Sequence, residues 1–139
     1  MDHLSASMKV AASGLDAQSL RLRVVSENLA NAQSTSDIPG GDPYQRKLVN
    51  FKTIYADQVN ASLVDVRSVS NDTRAFSLEF DPGSPGANAD GYVKMPNVNS
   101  IVEMADMREA NRSYQANLQV FKQARELISL TIDLMRAGS

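Results

Sequence analysis

Apolar side chains recur at a helical period through the first 32 residues of the chain. Alternating steps of four and three residues from Leu4 give nine positions, of which eight are apolar and one, Gln18, is polar. A period of 3.5 residues is that of a coiled-coil seam, the row of side chains along which two helices pack. The pattern therefore predicts an amphipathic helix from Leu4 to Ala32. Its seam positions are Leu4, Met8, Ala11, Leu15, Gln18, Leu22, Val25, Leu29 and Ala32.

The last 40 residues carry a second pattern of the same kind, in which eight of ten seam positions are apolar. Ser100 and Glu103 have the spacing of a capping box, in which the serine caps the helix and the glutamate reaches back to it. We therefore predict a helix from Ser100 to Arg136. Its seam positions are Met104, Met107, Asn111, Tyr114, Leu118, Phe121, Arg125, Ile128, Ile132 and Met135.

The middle of the chain is interrupted by turn residues. All five prolines lie between residues 39 and 96, and proline breaks helices. Alternating apolar residues predict short strands over 47–55, 63–69 and 75–80, with a turn at 70–73 between the last two. In the last strand Phe76, Leu78 and Phe80 are predicted to face inward. The segments 34–47 and 81–97 are predicted to be loops.

The predicted fold is mainly α with a small β element, since two long terminal amphipathic helices of coiled-coil type flank a short β-hairpin and its loops. The segments are 1–33 (first helix), 34–99 (loops and β element) and 100–139 (second helix). Whether the helices form an antiparallel hairpin or lie apart, two helices alone cannot cover so wide an apolar face. We expect other subunits to complete it.

Composition excludes several classes of chemistry. The 14 basic and 16 acidic residues give a net charge of -2, which argues against a nucleic-acid binder with a basic surface. There is no Cys, and the one His is His3, so disulfides, Cys-ligated metals and His-pair metal motifs are excluded. We expect no catalytic, cofactor-binding or metal site and no enzyme activity, with paired carboxylates as the one open route to an enzyme. The amino terminus lacks the pattern of a cleaved signal, and no apolar run is long enough to span a membrane.

Several segments resemble a known family. The segments 13–18 and 21–32 resemble the amino-terminal signature of bacterial flagellar rod and hook proteins, and 35–47 resembles the loop that comes after this signature in the family. The segments 88–99, 103–104 and 111–117 resemble the short proximal rod members in particular, and the likeness covers nearly the whole chain. Ser84 and Gly86 depart from the family pattern, which affects only the details of one loop.

The resemblance implies a non-enzymatic structural subunit of the proximal rod, the periplasmic drive shaft that transmits torque for motility. It implies export by the flagellar type III apparatus without a cleaved signal, followed by helical stacking with the terminal helices inside and the β element outside. The implied partners are other copies of the chain, other rod proteins and a basal-body adaptor, and no nucleic acid or small-molecule substrate. The alternative is a soluble coiled-coil regulator or chaperone of an exported protein, which would form a discrete dimer in dilute solution.

Within that role, some residues are candidates for contacts between subunits. Asn28 and Asn31 either cap the first helix or bond neighbouring subunits. Tyr44 and Arg46 are either ordinary surface residues or pack the loop against an adjacent subunit. The full predicted interface is Leu15, Leu22, Val25, Asn28, Leu29, Asn31, Tyr44, Arg46, Tyr114, Asn117, Leu118, Phe121, Ile128 and Ile132.

Overall fold

The computed structural model describes residues 2–57 and 60–139, with all of their side chains except those at 66 and 67. Two helices, α1 (Asp2–Ala30) and α2 (Ser100–Ala137), flank a small β region. They contain 29 and 38 residues, about half of the chain. The strands are β1 (Lys47–Ala56), β2 (Ala61–Asn71), β3 (Ser77–Phe80) and β4 (Tyr92–Met95). Both predicted helices are confirmed to within two residues at each end.

The strands form two separate two-stranded sheets, β1 with β2 and β3 with β4. The strand β4 lies in the segment predicted to be a loop, so that prediction is wrong for residues 92–95. Gly91 explains the connection, because its φ of +86° suits a residue without a Cβ and its carbonyl accepts a hydrogen bond from the Asp81 amide at 2.9 Å. The chain can thus return beside β3, which pairs with β4 and not with β2.

The face of β3 was predicted wrongly. Leu78 and Phe80 are 61% and 64% exposed, whereas Val93 on β4 is buried. Phe80 pairs directly with Tyr92, and directly paired residues of an antiparallel sheet point to the same face. Their rings meet edge to face at 5.3 Å on the outer side. Alternation locates a strand with two unlike faces, but in so short a sheet it does not determine which face is covered.

The start of α2 differs from the predicted capping box. The side-chain Oδ1 of Asn99 accepts hydrogen bonds from the backbone nitrogens of Ile101 and Val102, at 3.1 and 3.4 Å. Asn99 therefore caps the helix, and Ser100 is its first residue. Glu103 does not reach back to Ser100, because its carboxylate is turned into a buried polar cluster.

The contacts divide the chain into two compact units, one with the described residues of 1–21, 50–68 and 109–139, the other with 22–49 and 69–108. In the first unit, Arg21 pairs with Glu109 at 3.4 Å, and the Val64 amide donates to the Ser13 hydroxyl at 3.3 Å. In the second unit, the end of α1 meets the start of α2 through Asn28. In the first unit the two helices run antiparallel, since Arg21 lies beside Glu109 and Gly14 lies beside Asn117.

Small side chains occupy most of the buried positions on both helices. At Gly14 an added Cβ would lie 2.6 Å from the side-chain nitrogen of Asn117, so the absence of a side chain there permits close approach. The buried row of α2 lies one residue before its predicted seam, and that of α1 is largely shifted in the same way. The predicted seam consists mainly of large apolar side chains, whereas the close approach of two helices requires small side chains at the contact. The buried helix residues are Ala11, Gly14, Ala17, Val24, Val25, Asn28, Glu103, Ala110 and Ala124.

Candidate assembly interface

A buried polar cluster joins α1, α2 and the segment that leads into β1. Its two most buried side chains are Glu103, with no exposed surface, and Asn28, which is 1% exposed. A buried carboxylate is costly unless it is paired and hydrogen-bonded. The hydrogen bonds and ion pairs within the cluster must therefore compensate for the cost of burying its polar side chains.

Asn28 uses the full hydrogen-bonding capacity of its amide. Its Nδ2 donates to the Lys47 carbonyl at 2.9 Å and to Glu103 Oε2 at 3.2 Å. Its Oδ1 accepts from the Lys47 backbone nitrogen at 2.9 Å and from the Tyr44 hydroxyl at 2.8 Å. The amide therefore pairs with both backbone groups of Lys47, as a neighbouring strand would, and attaches the start of β1 to α1.

Arg46 lies among three carboxylates of the second unit, two on α2 and one just beyond β2. Its Nε donates to Glu103 Oε1. Its other two nitrogens lie 3.3 Å from Asp72 Oδ2 and 3.6 Å from Asp106 Oδ2. The guanidinium is planar and always charged, so it can serve several carboxylates at fixed angles. Arg46 thus compensates the buried charge of Glu103.

Asp72, just beyond the end of β2, is the second acid that Arg46 contacts. Its pKa is lowered from 3.8 to about 2, chiefly by hydrogen bonds from the side chain and backbone of Arg74 and also by the hydrogen bond from Arg46. The pKa of Arg74 is raised, first through the same hydrogen bond. Both groups are therefore charged at neutral pH, and the charged members of the cluster alternate in sign.

Tyr44 completes the cluster from the loop side. Its pKa is raised to about 12, first by burial and then by the negative charges of Glu27 and Glu103. The hydroxyl thus keeps its proton and remains a donor to Asn28. Near it, the Asp72 amide donates to the Arg46 carbonyl at 2.7 Å, which ties together the two chain segments that flank the β1–β2 pair.

The cluster unites three of the predicted interface residues within one chain. Tyr44 contacts Asn28 directly, and Arg46 contacts it through Glu103. The remaining positions lie on the helices, except Asn31 just beyond α1, and among them Val25 is buried and Ile132 is 37% exposed. Eleven of the predicted positions are half-buried: Leu15, Leu22, Leu29, Asn31, Tyr44, Arg46, Tyr114, Asn117, Leu118, Phe121 and Ile128. Their role in contacts between subunits stays a prediction.

Sequence inspection missed Glu103 and Asp72 as members of the cluster. Glu103 carried one usable signal, because it lies seven residues before Ala110 and falls on the same helix face as Ala124. An acid on that otherwise small-residue row needs a partner. Asp72 had no such signal, since Asp is common in turns, and only the folded chain brings it to Arg46.

Over the described residues, no group of three or more His, Asp or Glu side chains is placed to hold a metal ion. Neither helix has, in the part of the chain that is described, a stretch apolar enough to cross a membrane.

Comparison with known proteins identifies the class. The family model for "Flagella basal body rod protein" matches residues 8–36, and that for "Flagellar basal body rod FlgEFG protein C-terminal" matches 89–134. These ranges include most of α1 and most of α2.

Curated relatives narrow the class further. The chain is 56% identical over 138 residues to the flagellar basal-body rod protein FlgC of Agrobacterium fabrum, covering 99% of each chain. It is 42% identical to FlgC of Salmonella typhimurium, over 90% of this chain and 92% of that one. It is 36% identical to FlgC of Bacillus subtilis, over 92% and 95%. The chain belongs to the FlgC family of flagellar basal-body rod proteins.

Proposed function

We propose that this chain is a structural subunit of the flagellar basal-body rod. It assembles with other copies of itself and with other rod and basal-body proteins in the periplasmic proximal rod, which transmits torque for motility. It reaches that place through the flagellar type III apparatus without cleavage of a signal. Membership of the FlgC family supports this role.

One observation carries the proposal. Among the described side chains, no Leu, Ile, Met, Phe or Tyr is buried, and the apolar core consists of Ala and Val. Large apolar side chains normally supply most of the core of a domain, at about 25 cal/mol for each Å² removed from water. A chain that leaves all of them partly in water gains that stabilisation when other subunits cover them.

The uncovered side chains form rows and not scattered points. On α1, Leu15, Leu22 and Leu29 follow one another at intervals of seven residues and are half-buried. Such a row is suited to coiled-coil packing against a helix of another subunit.

On α2, the row Val120, Leu127 and Leu134 repeats at the same interval and is 47%, 50% and 74% exposed. Outside the helices, Leu78, Phe80 and Tyr92 expose a further apolar face of the β3–β4 sheet. The chain therefore offers at least three apolar surfaces, as a subunit with several neighbours requires.

A charge in the α1 row tests the proposal. Leu22→Asp is expected to abolish rod assembly and swimming, because a carboxylate would be buried between subunits. The purified variant is expected to stay soluble, since Leu22 is only half-buried in the single chain. Swimming on soft agar and electron microscopy of isolated basal bodies measure the effect.

Ser19→Asp is the matched control, because Ser19 is an exposed residue of the same helix. It introduces the same charge and is expected to leave assembly intact. Normal rods with Leu22→Asp would show that the α1 row does not form a subunit interface. A stable, discrete dimer of the unaltered chain in dilute solution would instead favour a regulator or chaperone.

A further inference from the structure

Small residues alone do not determine the axial register of α2 against α1, that is, which residue of one helix lies opposite which residue of the other. Glu103, which receives a hydrogen bond from Asn28, and Asn117, which lies over Gly14, belong to a row of α2 positions spaced by seven residues. The buried Ala110 and Ala124 are the other members of this row. A displacement of α2 by seven residues, about 10 Å along its axis, would place the next member of the row at each contact. Ala124 would then lie opposite Gly14, and Ala110 opposite Asn28.

Such a displaced arrangement packs small residues as well as the observed one. In the observed arrangement the half-buried Asn117 side chain lies over Gly14, and in the displaced one the smaller Ala124 would take its place. The spacing of small residues therefore sets the distance between the helices and leaves their axial register poorly defined.

The polar cluster distinguishes the two registers. In the observed one, the fully buried Glu103 carboxylate receives hydrogen bonds from Asn28 on α1 and from Arg46. A displacement by seven residues would remove both partners and place Ala110, which has no polar side-chain atom, opposite the Asn28 amide. An unpaired buried charge strongly disfavours that state.

We propose that Glu103, with Asn28 and Arg46, fixes the axial register of α2 against α1. The inference rests on the proposed function, because the register determines how the α1 and α2 rows are presented to neighbouring subunits. Buried polar groups can specify register at a cost in stability, and replacing a buried ion pair by apolar side chains is often neutral or stabilising. The cluster accordingly sets the axial alignment of the two helices, and its removal changes that alignment more than the stability of the fold.

Cysteine pairs can report the register, because the chain contains no Cys of its own. Gly14→Cys with Asn117→Cys reports the observed register, since the two positions are in contact. Gly14→Cys with Ala124→Cys reports the displaced one, and adding Asn117→Ala removes the clash that the new Cβ would otherwise cause. Each pair is placed in the full-length purified chain, and the disulfides are quantified by peptide mass spectrometry after mild oxidation.

With the cluster intact, the observed-register pair is expected to form its disulfide and the displaced pair to remain reduced. In Glu103→Leu with Arg46→Met, the displaced pair is expected to oxidise to an extent comparable with the observed-register pair, with no loss of helical content. Glu27→Leu with Lys47→Met is the matched control. It removes an ion pair of 2.6 Å that touches α1 but not α2, so it is expected to leave the register unchanged.

Exclusive observed-register crosslinking in Glu103→Leu with Arg46→Met would overturn the proposal. If that variant loses its helical content, Glu103→Gln replaces it, since this change keeps the shape and removes only the charge. Displaced-register crosslinking with Glu103→Gln would then support the proposal, and its absence would overturn it. The assay needs no rods, so its failure is distinct from that of Leu22→Asp, which leaves the cluster intact and tests assembly.

Discussion

Around Asn28 and Glu103 the helices are joined by charged and amide groups, whereas around Gly14 and Asn117 they approach closely because residue 14 has no side chain. The polar contacts have few alternatives, because each donor and acceptor must find its partner. The small-residue contacts allow close approach and leave neighbouring large side chains partly in water. The first region therefore gives the single chain its alignment, and the second keeps apolar surface available for neighbours.

Arg46→Ala is expected to have the largest effect on the polar region. It leaves the fully buried Glu103 carboxylate without its cation, a loss of about 3–5 kcal/mol. Urea unfolding followed by circular dichroism measures it. Lys94→Ala removes an ion pair of the same unit in which both side chains are well exposed, and should cost at most about 1 kcal/mol. Equal effects of the two variants would contradict the importance assigned to burial.

Acid is expected to have the next largest effect. Because the pKa of Asp72 is about 2 in the folded chain and 3.8 as the ordinary value, its contribution is present above pH 4. It is lost as the pH falls from about 4 through 2, and its full size is on the order of 2 kcal/mol. Unfolding free energies of the unaltered chain and of Asp72→Asn, measured from pH 5 to 2, should converge towards low pH. A difference in unfolding free energy between the two proteins that stays constant over this pH range would rule out Asp72 as the titrating group.

Gly14→Ala tests the small-residue region. Alanine favours a helix by about 1 kcal/mol over glycine, yet here its Cβ would lie 2.6 Å from the Asn117 side chain. We expect a net destabilisation of about 1 kcal/mol. Adding Asn117→Ala should remove the clash and restore stability, which thermal unfolding of the single and double variants would show. A stabilised Gly14→Ala would mean that the helices do not approach closely there.

Tyr44→Phe is expected to have the smallest effect. It removes one hydrogen bond, from the hydroxyl to Asn28 Oδ1, keeps the ring and leaves that oxygen its bond from the Lys47 amide, so it should cost about 0.5 kcal/mol. Tyr55→Phe is the control: it removes the hydrogen bond from an exposed hydroxyl to Asn60, which water can replace, and should change little. A Tyr44→Phe variant as stable as the unaltered chain would show that another donor or water serves Asn28 equally well.

Much of the architecture was predictable from the sequence, because helices and strands leave periodic patterns. The strong 3.5-residue pattern located α1 and α2, and the prolines located the broken middle. The covered face was less predictable. Leu78 and Phe80 alternate as inward residues do, yet Val93 on the partner strand faces inward. The row of α2 that is buried within the chain lies one residue before the predicted seam, because size and hydrophobicity mark Leu118 more strongly than Ala124, although only Ala124 is buried.

The candidate site, like the fold, was only partly predictable from the sequence. Asn28 near the end of α1, and Tyr44 and Arg46 in the loop before β1, were recognisable as candidate contact residues. The partners of Arg46 were not, because Glu103 and Asp72 are 57 and 26 residues from it along the chain. No local pattern reports a contact of that range. Glu103 illustrates the difficulty, because its spacing from Ser100 suggested a local cap whereas its carboxylate serves a distant guanidinium.

The sequence by itself determined the family, the two terminal helices and the exclusion of cysteine and histidine-pair chemistry, because these depend on residue identity and local period. The tertiary structure decided which face of each helix is covered, which strands pair and which charges meet. Those outcomes depend on packing between distant segments. A row of large residues and a row of small ones are both consistent with the helical period, and only the approach of the second helix selects the small one.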